Sequence, residues 1–353
     1  MKFMLEIFNL FIISLFLGFI FTLFIKKLFY KIKVLDNPKK YNKKRKPIPY
    51  STGIIFFILF FILSYFYIEH NQKLYLIWWF GLIITIISFF DDLYKVSAKK
   101  RLIIQIIIWA IIGITSIKIG YITNIFGWII DLKTYFINIF DFKIFIIPVI
   151  FTIFWYVFIF NSVNWTDWIS GNTSGLSIIS FFILFLLWLI LFNKDDYEWW
   201  IKNAIFIMKM TTILVWILIP YWYFEVREKI LMWDSGTMFL GFMLATIAII
   251  SGWKIATVLV VFGIYIVDTI YVILSRLSSW QNPLKWDTNH LHHRLLKLWL
   301  SKKEVLYLIY FLSFIFGLTA LFLNKIGKII VFIIIVFIVI FINKIAEKIY
   351  LKK

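Results

Sequence analysis

The sequence predicts an all-α integral membrane protein of about eleven transmembrane helices, and three observations predict it. Of its 353 residues, 63% are hydrophobic, against about 45–50% in ordinary globular chains. Mean hydropathy is +0.93. The apolar residues also fall in repeated runs, many near the roughly 20 residues a helix needs to cross about 30 Å of hydrocarbon.

Taken in order, the runs lie at about 3–25, 50–68, 74–90, 102–119, 143–160, 174–192 and 200–219, then 236–250, 253–274, 305–323 and 329–342. Polar turns such as Asn193-Lys194-Asp195-Asp196 and Asn324-Lys325 bound several of them. The first run lacks a small-residue cleavage site and reads as a retained helix rather than a signal peptide. The less apolar stretch 120–141 reads as a small extracytoplasmic hairpin. Without internal repeat or soluble segment, residues 1–353 read as a single transmembrane domain.

The formal charge is +19. In a membrane protein such charge marks cytoplasmic loops and meets anionic headgroups, so it does not imply nucleic acid. Counting alternate loops puts about 26 Lys and Arg on one side and about 10 on the other, with Lys209 inside a run. The richer side, which holds Lys43-Lys44-Arg45-Lys46, reads as cytoplasmic. The N-terminus is then outside and the C-terminus inside, in a plasma membrane. With no cysteine, disulfides and thiolate metal sites are excluded.

Five polar clusters fall on the cytoplasmic side. Asp91-Asp92 ends the third run, and adjacent carboxylates call for a compensating cation or proton. Mg²⁺, which takes oxygen ligands and substrate phosphate, is the natural candidate, with Mn²⁺ as a substitute. Asn161, Asn164 and Asp167 are spaced by three and share one face of a helix, suiting a cation, ribose or uracil; a capped helix end is the plainer reading. Asp234 stands before an apolar run, where by itself a helix cap is the plainer reading. His290, His292, His293 and Arg294 cluster three of the four histidines; without cysteine, donors to a diphosphate or sugar fit better than structural zinc. Lys46, at the end of the basic run, can reach an anionic substrate.

In this order the clusters resemble the polyprenyl-phosphate N-acetylhexosamine-1-phosphate transferases, a superfamily (glycosyltransferase family 4) that includes the phospho-MurNAc-pentapeptide transferases. The matching stretches are Leu35-Asp36-Asn37-Pro38 through Gly53, Asp91-Asp92-Leu93-Tyr94 with Ser97-Ala98-Lys99 and Gln105, and 161–167. Asp234-Ser235-Gly236-Thr237 into Leu240-Gly241-Phe242, Lys254-Ile255-Ala256-Thr257, Asp268, and Asp287 through His290-Leu291-His292-His293-Arg294-Leu295 complete the set. The His-x-His-His-Arg form resembles the branch using UDP-N-acetylglucosamine. The resemblance implies transfer of GlcNAc-1-phosphate from UDP-GlcNAc to undecaprenyl phosphate, releasing UMP and priming an envelope glycan such as lipopolysaccharide or teichoic acid. Asn164 and Asp234 would hold Mg²⁺, and Asp91 and Asp92 would serve the attacking lipid phosphate. Asp167 would meet the nucleotide side, Asn161 would bind substrate, and His290, His292, His293 and Arg294 would meet the sugar and phosphates. Lys46 matches a lysine at the site's edge. A homodimer is compatible with this reading. The alternatives are another UDP-N-acetylhexosamine or UDP-MurNAc-pentapeptide, an inactive homologue, or, in another class, a secondary transporter.

The departures are systematic. Trp128, Trp168, Trp233, Trp253, Trp286 and Trp299 occupy places where the resemblance leads one to expect Gly, in a chain with 17 Trp and only 14 Gly. Trp cannot copy a glycine's backbone freedom or close approach. A UGA codon is read as Trp in one variant code and as Gly in another, which would explain the pattern. Ser170, where a second Asp is common, is not explained this way.

Overall fold

The computed structural model describes residues 2–41, 45–123, 128–139, 142–192, 197–252, 255–280 and 290–350. Its helices are α1 (Lys2–Lys31), α2 (Ile54–Tyr67), α3 (Gln72–Tyr94), α4 (Ala98–Ile114), α5 (Ile146–Asn164), α6 (Asn172–Phe192) and α7 (Glu198–Glu225). After them come α8 (Trp233–Ile250), α9 (Ile255–Val261), α10 (Gly263–Ser278), α11 (Leu291–Lys297), α12 (Lys302–Phe322) and α13 (Lys325–Tyr350). Among the described residues, each apolar run read from the sequence falls mostly on helix, although the run at 143–160 starts on a short strand. The protein is an all-α, multi-pass membrane protein. Among the described residues, eight helices are long and apolar enough to cross a membrane: α1, α3, α5, α6, α7, α8, α12 and α13. The other runs lie on α2 (14 residues), α4 (17 residues) and the pair α9 and α10. A 14-residue helix reaches only about 21 Å.

Two details differ from the sequence reading. The run at 253–274 is broken: α9 stops at Val261, and the amides of Tyr265 and Ile266 both donate to the Phe262 carbonyl as α10 starts. Nothing polar marks the break, so hydropathy does not register it. The stretch 120–141 holds one antiparallel pair, β1 (Tyr121–Thr123) with β2 (Ile129–Asp131), and the first strand of a second, β3 (Phe136–Ile139), whose partner β4 (Phe142–Phe145) extends into the fifth apolar run. Hairpins satisfy their backbone groups between strands, which suits a segment too polar to cross lipid.

The chain divides into two compact units, residues 1–95 with 163–240, and residues 96–162 with 241–353. In the first, α7 is the central helix and packs on α6, α1 and α2. Gly18 of α1 allows the α1–α7 approach, since a Cβ there would lie 2.9 Å from the Ile217 Cα. Lys209, the one basic residue of the α7 interior, donates to Glu6 (3.0 Å) and to the Tyr67 carbonyl (2.9 Å). This satisfies a charge that lipid would penalise. In the second unit, the Trp109 ring stacks on Tyr156 (4.5 Å) and Phe242 (6.2 Å), and the Tyr156 hydroxyl meets Thr246 Oγ1 at 2.7 Å.

Candidate active site

Within the first unit, the candidate residues gather where α1, α3 and α7 end and α2, α6 and α8 begin. The loop after α1 is fixed first. Asp36 takes both Nη1 (3.0 Å) and Nη2 (2.6 Å) of Arg45 and the Ile48 amide (2.9 Å), while Leu35 bridges to Pro49. Arg45, which the sequence offered only as part of a basic run, is thus a structural clamp. Lys46 beside it is exposed; Lys43 and Lys44 lie outside the described residues. The chain then runs along the segment before α8, with the Leu231 amide on the Pro49 carbonyl (2.9 Å) and the Thr52 amide on the Leu231 carbonyl (3.1 Å). Gly53 meets Gly236 so closely that a Cβ on Gly53 would lie 2.2 Å from the Gly236 Cα. Only glycine fits there, and the contact sets Ser51 beside the start of α8.

Asp91 and Asp92 close α3, and both are buried. The Asp92 carboxylate ties three elements together. Oδ2 accepts from Ser51 Oγ (2.5 Å) and from the Ser235 amide (3.0 Å), and Oδ1 accepts from the Asp234 amide (3.0 Å). The preceding amide, of Trp233, donates to Asp167 Oδ2 at 3.1 Å. Three successive N–H groups that a helix start leaves unsatisfied are therefore held by two carboxylates, where the helix dipole also favours negative charge. Asp234 itself accepts from Asn164 Nδ2 on Oδ1 (2.8 Å), and the same nitrogen donates to Thr237 Oγ1 (2.9 Å).

Asp167 lies between α5 and α6. Enclosure of its carboxyl, and then the negative charges of Glu225 and Asp234, hold its pKa well above the usual carboxylate range, while the Trp233 N–H pulls the other way. Glu225, fully buried at the end of α7, accepts from Ser174 Oγ near the start of α6. Asp92, Asp167, Glu225 and Asp234 thus form an acidic centre in one unit, made of hard oxygen donors. Asn164 commits its Nδ2 to Asp234 and Thr237, which leaves its carbonyl oxygen as the atom to offer a cation. This donor set fits Mg²⁺ sharing a substrate phosphate. Among the described residues, no three His, Asp or Glu side chains are grouped to hold a metal by themselves.

In the second unit, Asn161 donates to Gln105 Oε1 (3.0 Å) and to the Val157 carbonyl of its own helix (2.7 Å). The histidine segment forms α11. Asp268 of α10 accepts the Leu291 amide (2.9 Å) on Oδ1 and holds His290 Nδ1 (3.1 Å) on Oδ2, so it fixes the helix start in place of a side-chain cap. His292 is fully buried with no hydrogen-bond partner on either ring nitrogen. That burial, with His293 and His290 nearby, keeps its pKa well below the usual histidine value. His293 stands 4.4 Å from it, centroid to centroid, and the buried Arg294 guanidinium lies 5.0 Å from the Tyr271 ring. Asp287 and the residues around it lie outside the described residues.

Sequence reasoning missed Ser51 and Glu225 as site residues, and named Ser235, Thr237, Gln105 and Asp268 only within matching stretches, without giving them partners. Glu225 carried a usable signal, because it is a carboxylate at the end of an apolar run, like the Asp pair. The serines carried none, since only the fold brings residues 51, 92 and 235 together.

A membrane helix bundle with a buried acidic centre at one end of its helices is the class of protein this fold and site define. The family model for glycosyl transferase family 4 matches residues 74–252, about half the chain and all four carboxylates of the acidic centre. The chain belongs to glycosyl transferase family 4. A Bacillus subtilis (strain 168) protein described as a probable undecaprenyl-phosphate N-acetylglucosaminyl 1-phosphate transferase is 26% identical to it, over 95% of this chain and 90% of its own. A phospho-N-acetylmuramoyl-pentapeptide-transferase of Staphylococcus epidermidis is 28% identical over 69% of this chain and 73% of its own. An undecaprenyl-phosphate alpha-N-acetylglucosaminyl 1-phosphate transferase of Salmonella typhi is 25% identical over 80% and 75%.

Proposed function

We propose that this protein transfers GlcNAc-1-phosphate from UDP-GlcNAc to undecaprenyl phosphate at the cytoplasmic face of the plasma membrane, releasing UMP. The observation that carries the reading is the start of α8, where Asp92 and Asp167 hold the backbone and Asp234 stands paired with Asn164. The names of the relatives in Bacillus and Salmonella support the sugar and the lipid. The excess of basic residues in the loop joining α1 and α2 supports the cytoplasmic side.

In this reaction an oxygen of the lipid phosphate bonds to the β-phosphorus of the UDP-sugar, and the bond from that phosphorus to the bridging oxygen breaks, leaving UMP. A lipid phosphate is already largely anionic at neutral pH, so the protein's task is mainly positioning and charge balance. Asp234 and Asn164 would hold Mg²⁺, or Mn²⁺ in its place, which when bound neutralises charge on the diphosphate. Asp92 keeps Asp234 in place by fixing its backbone. Asp91 is assigned to the lipid phosphate. Asn161 and Asp167 are assigned to the nucleotide, Lys46 to an anionic substrate group, and His290, His292, His293 and Arg294 to the sugar and phosphates.

The test is UMP release by the purified protein from UDP-GlcNAc, with and without undecaprenyl phosphate and Mg²⁺. Release that needs both supports the assignment. Release from UDP-MurNAc-pentapeptide or another UDP-N-acetylhexosamine but not from UDP-GlcNAc would move the substrate within the family. Transport of label without UMP would favour a carrier instead.

A further inference from the structure

Two helices of the second unit end in the same unusual way. α10 finishes at Ser278 with Ser279 as its cap, and the next residue, Trp280, has φ +54°. α11 finishes at Lys297 with Leu298 as its cap, and the next residue, Trp299, has φ +68°. This is the position at which many helices leave through the left-handed region, and it is most often glycine. A side chain there crowds the Cβ against the following carbonyl, and only glycine enters at no steric cost.

A third case lies in the candidate active site. Trp233 opens α8 with φ +56°, and its amide is the one that meets Asp167. For a bulky residue a positive φ is an outlier in its own right. Trp makes up 17 of 353 residues, about one in twenty, yet it holds three of the seven non-glycine positive-φ positions among the described residues. Exposure does not account for this. Trp280 is 97% exposed, and Trp side chains commonly sit at membrane interfaces, but an interfacial ring needs no left-handed backbone.

We infer that residues 233, 280 and 299 are glycines in the working protein, encoded by a codon that its own cells read as Gly and that the present translation reads as Trp. The backbone carries this independently of the reaction proposed above. It also sorts the tryptophans the sequence made suspect. Positions 233 and 299 are assigned, and 280, where nothing in the sequence raised suspicion, joins them. Trp168 is not among the positive-φ residues and is not assigned on this ground, and Trp128 follows residues outside the described ones and is not assigned either. Trp253 and Trp286 lie outside the described residues. For the site the consequence is local: a glycine at 233 takes the turn that aims three successive amides at Asp167 and Asp92 without a side chain opposing it.

The test is tandem mass spectrometry of proteolytic peptides from the protein isolated from its native membranes. Glycine at all three positions is expected, and tryptophan at any one of them overturns the inference. A recombinant pair gives a second measurement. The chain carrying W233G, W280G and W299G together is expected to melt at a higher temperature in detergent than the chain as written. A lower melting temperature would refute the conformational argument.

Discussion

Asp92→Asn and Asp92→Ala remove different parts of the link between α3 and α8, and the difference gives a number to test. The carboxylate accepts two backbone amides, those of Asp234 and Ser235, each at 3.0 Å, and the Ser51 hydroxyl. Alanine leaves both amides without a partner in a buried place. Ser51 does better, because Ser235 Oγ lies 3.0 Å away and can take its proton. An unsatisfied buried donor costs about 1–3 kcal/mol, so Asp92→Ala should destabilise the protein by roughly 2–6 kcal/mol. Asparagine keeps one carbonyl oxygen and turns a donor toward the second amide, so about half of that loss is expected, roughly 1–3 kcal/mol. The measurement is equilibrium unfolding of the purified protein in detergent, followed by tryptophan fluorescence, with UMP release assayed well below each variant's melting point. If Asp92 acts only on substrate, activity falls while stability stays within about 0.5 kcal/mol, as for an ordinary surface change. Equal stability of alanine, asparagine and parent would refute the helix-fixing role.

The other predictions address separate parts of the structure. Asp234→Ala should abolish UMP release, whereas Asn164→Ala should leave measurable release with a raised Mg²⁺ requirement; unchanged metal dependence in both would remove them from the cation site. Lys46→Ala should raise KM for the anionic substrate more than it lowers kcat, and Lys46→Arg should recover part of the loss, which steady-state kinetics would check. Gly53→Ala places a Cβ 2.2 Å from the Gly236 Cα, so backbone must move. The expected loss is at the upper end of the roughly 1–3 kcal/mol seen for overpacking, read as a lower melting temperature. His292 is held neutral by burial, so below its ordinary pKa of about 6.5 the unfolded chain binds a proton that the folded chain does not. Its contribution is complete above that pH and is lost as pH falls toward its depressed folded value. His292→Phe should therefore flatten the acid side of the stability profile, and an unchanged slope between about pH 6.5 and 5 would count against the assignment.

The parts of this molecule that were legible in its sequence are those set by one-dimensional constraints. Hydrocarbon demands long apolar runs, so the helices could be placed without a partner in view. Carboxylates beside such runs are conspicuous for the same reason, which is why Asp91, Asp92, Asp167 and Asp234 stood out. What could not be read is the division of labour among them. Asp92 looks like a reactive acid in sequence, yet its oxygens are occupied by the backbone of α8. That follows only from a contact between residues 92 and 234–235, made while Gly53 and Gly236 bring residue 51 alongside. The apparent cluster of interchangeable acids thus separates by hydrogen bonding, with Asp92 holding a helix start and Asp234 paired with an amide side chain. Trp233 shows the same limit from the other side. Its residue type was suspect in the sequence, but the ground for doubting it is a torsion angle, and the same angle singles out Trp280, which no motif touches. Backbone conformation therefore tests a residue's identity independently of family resemblance, and at position 233 both point to glycine.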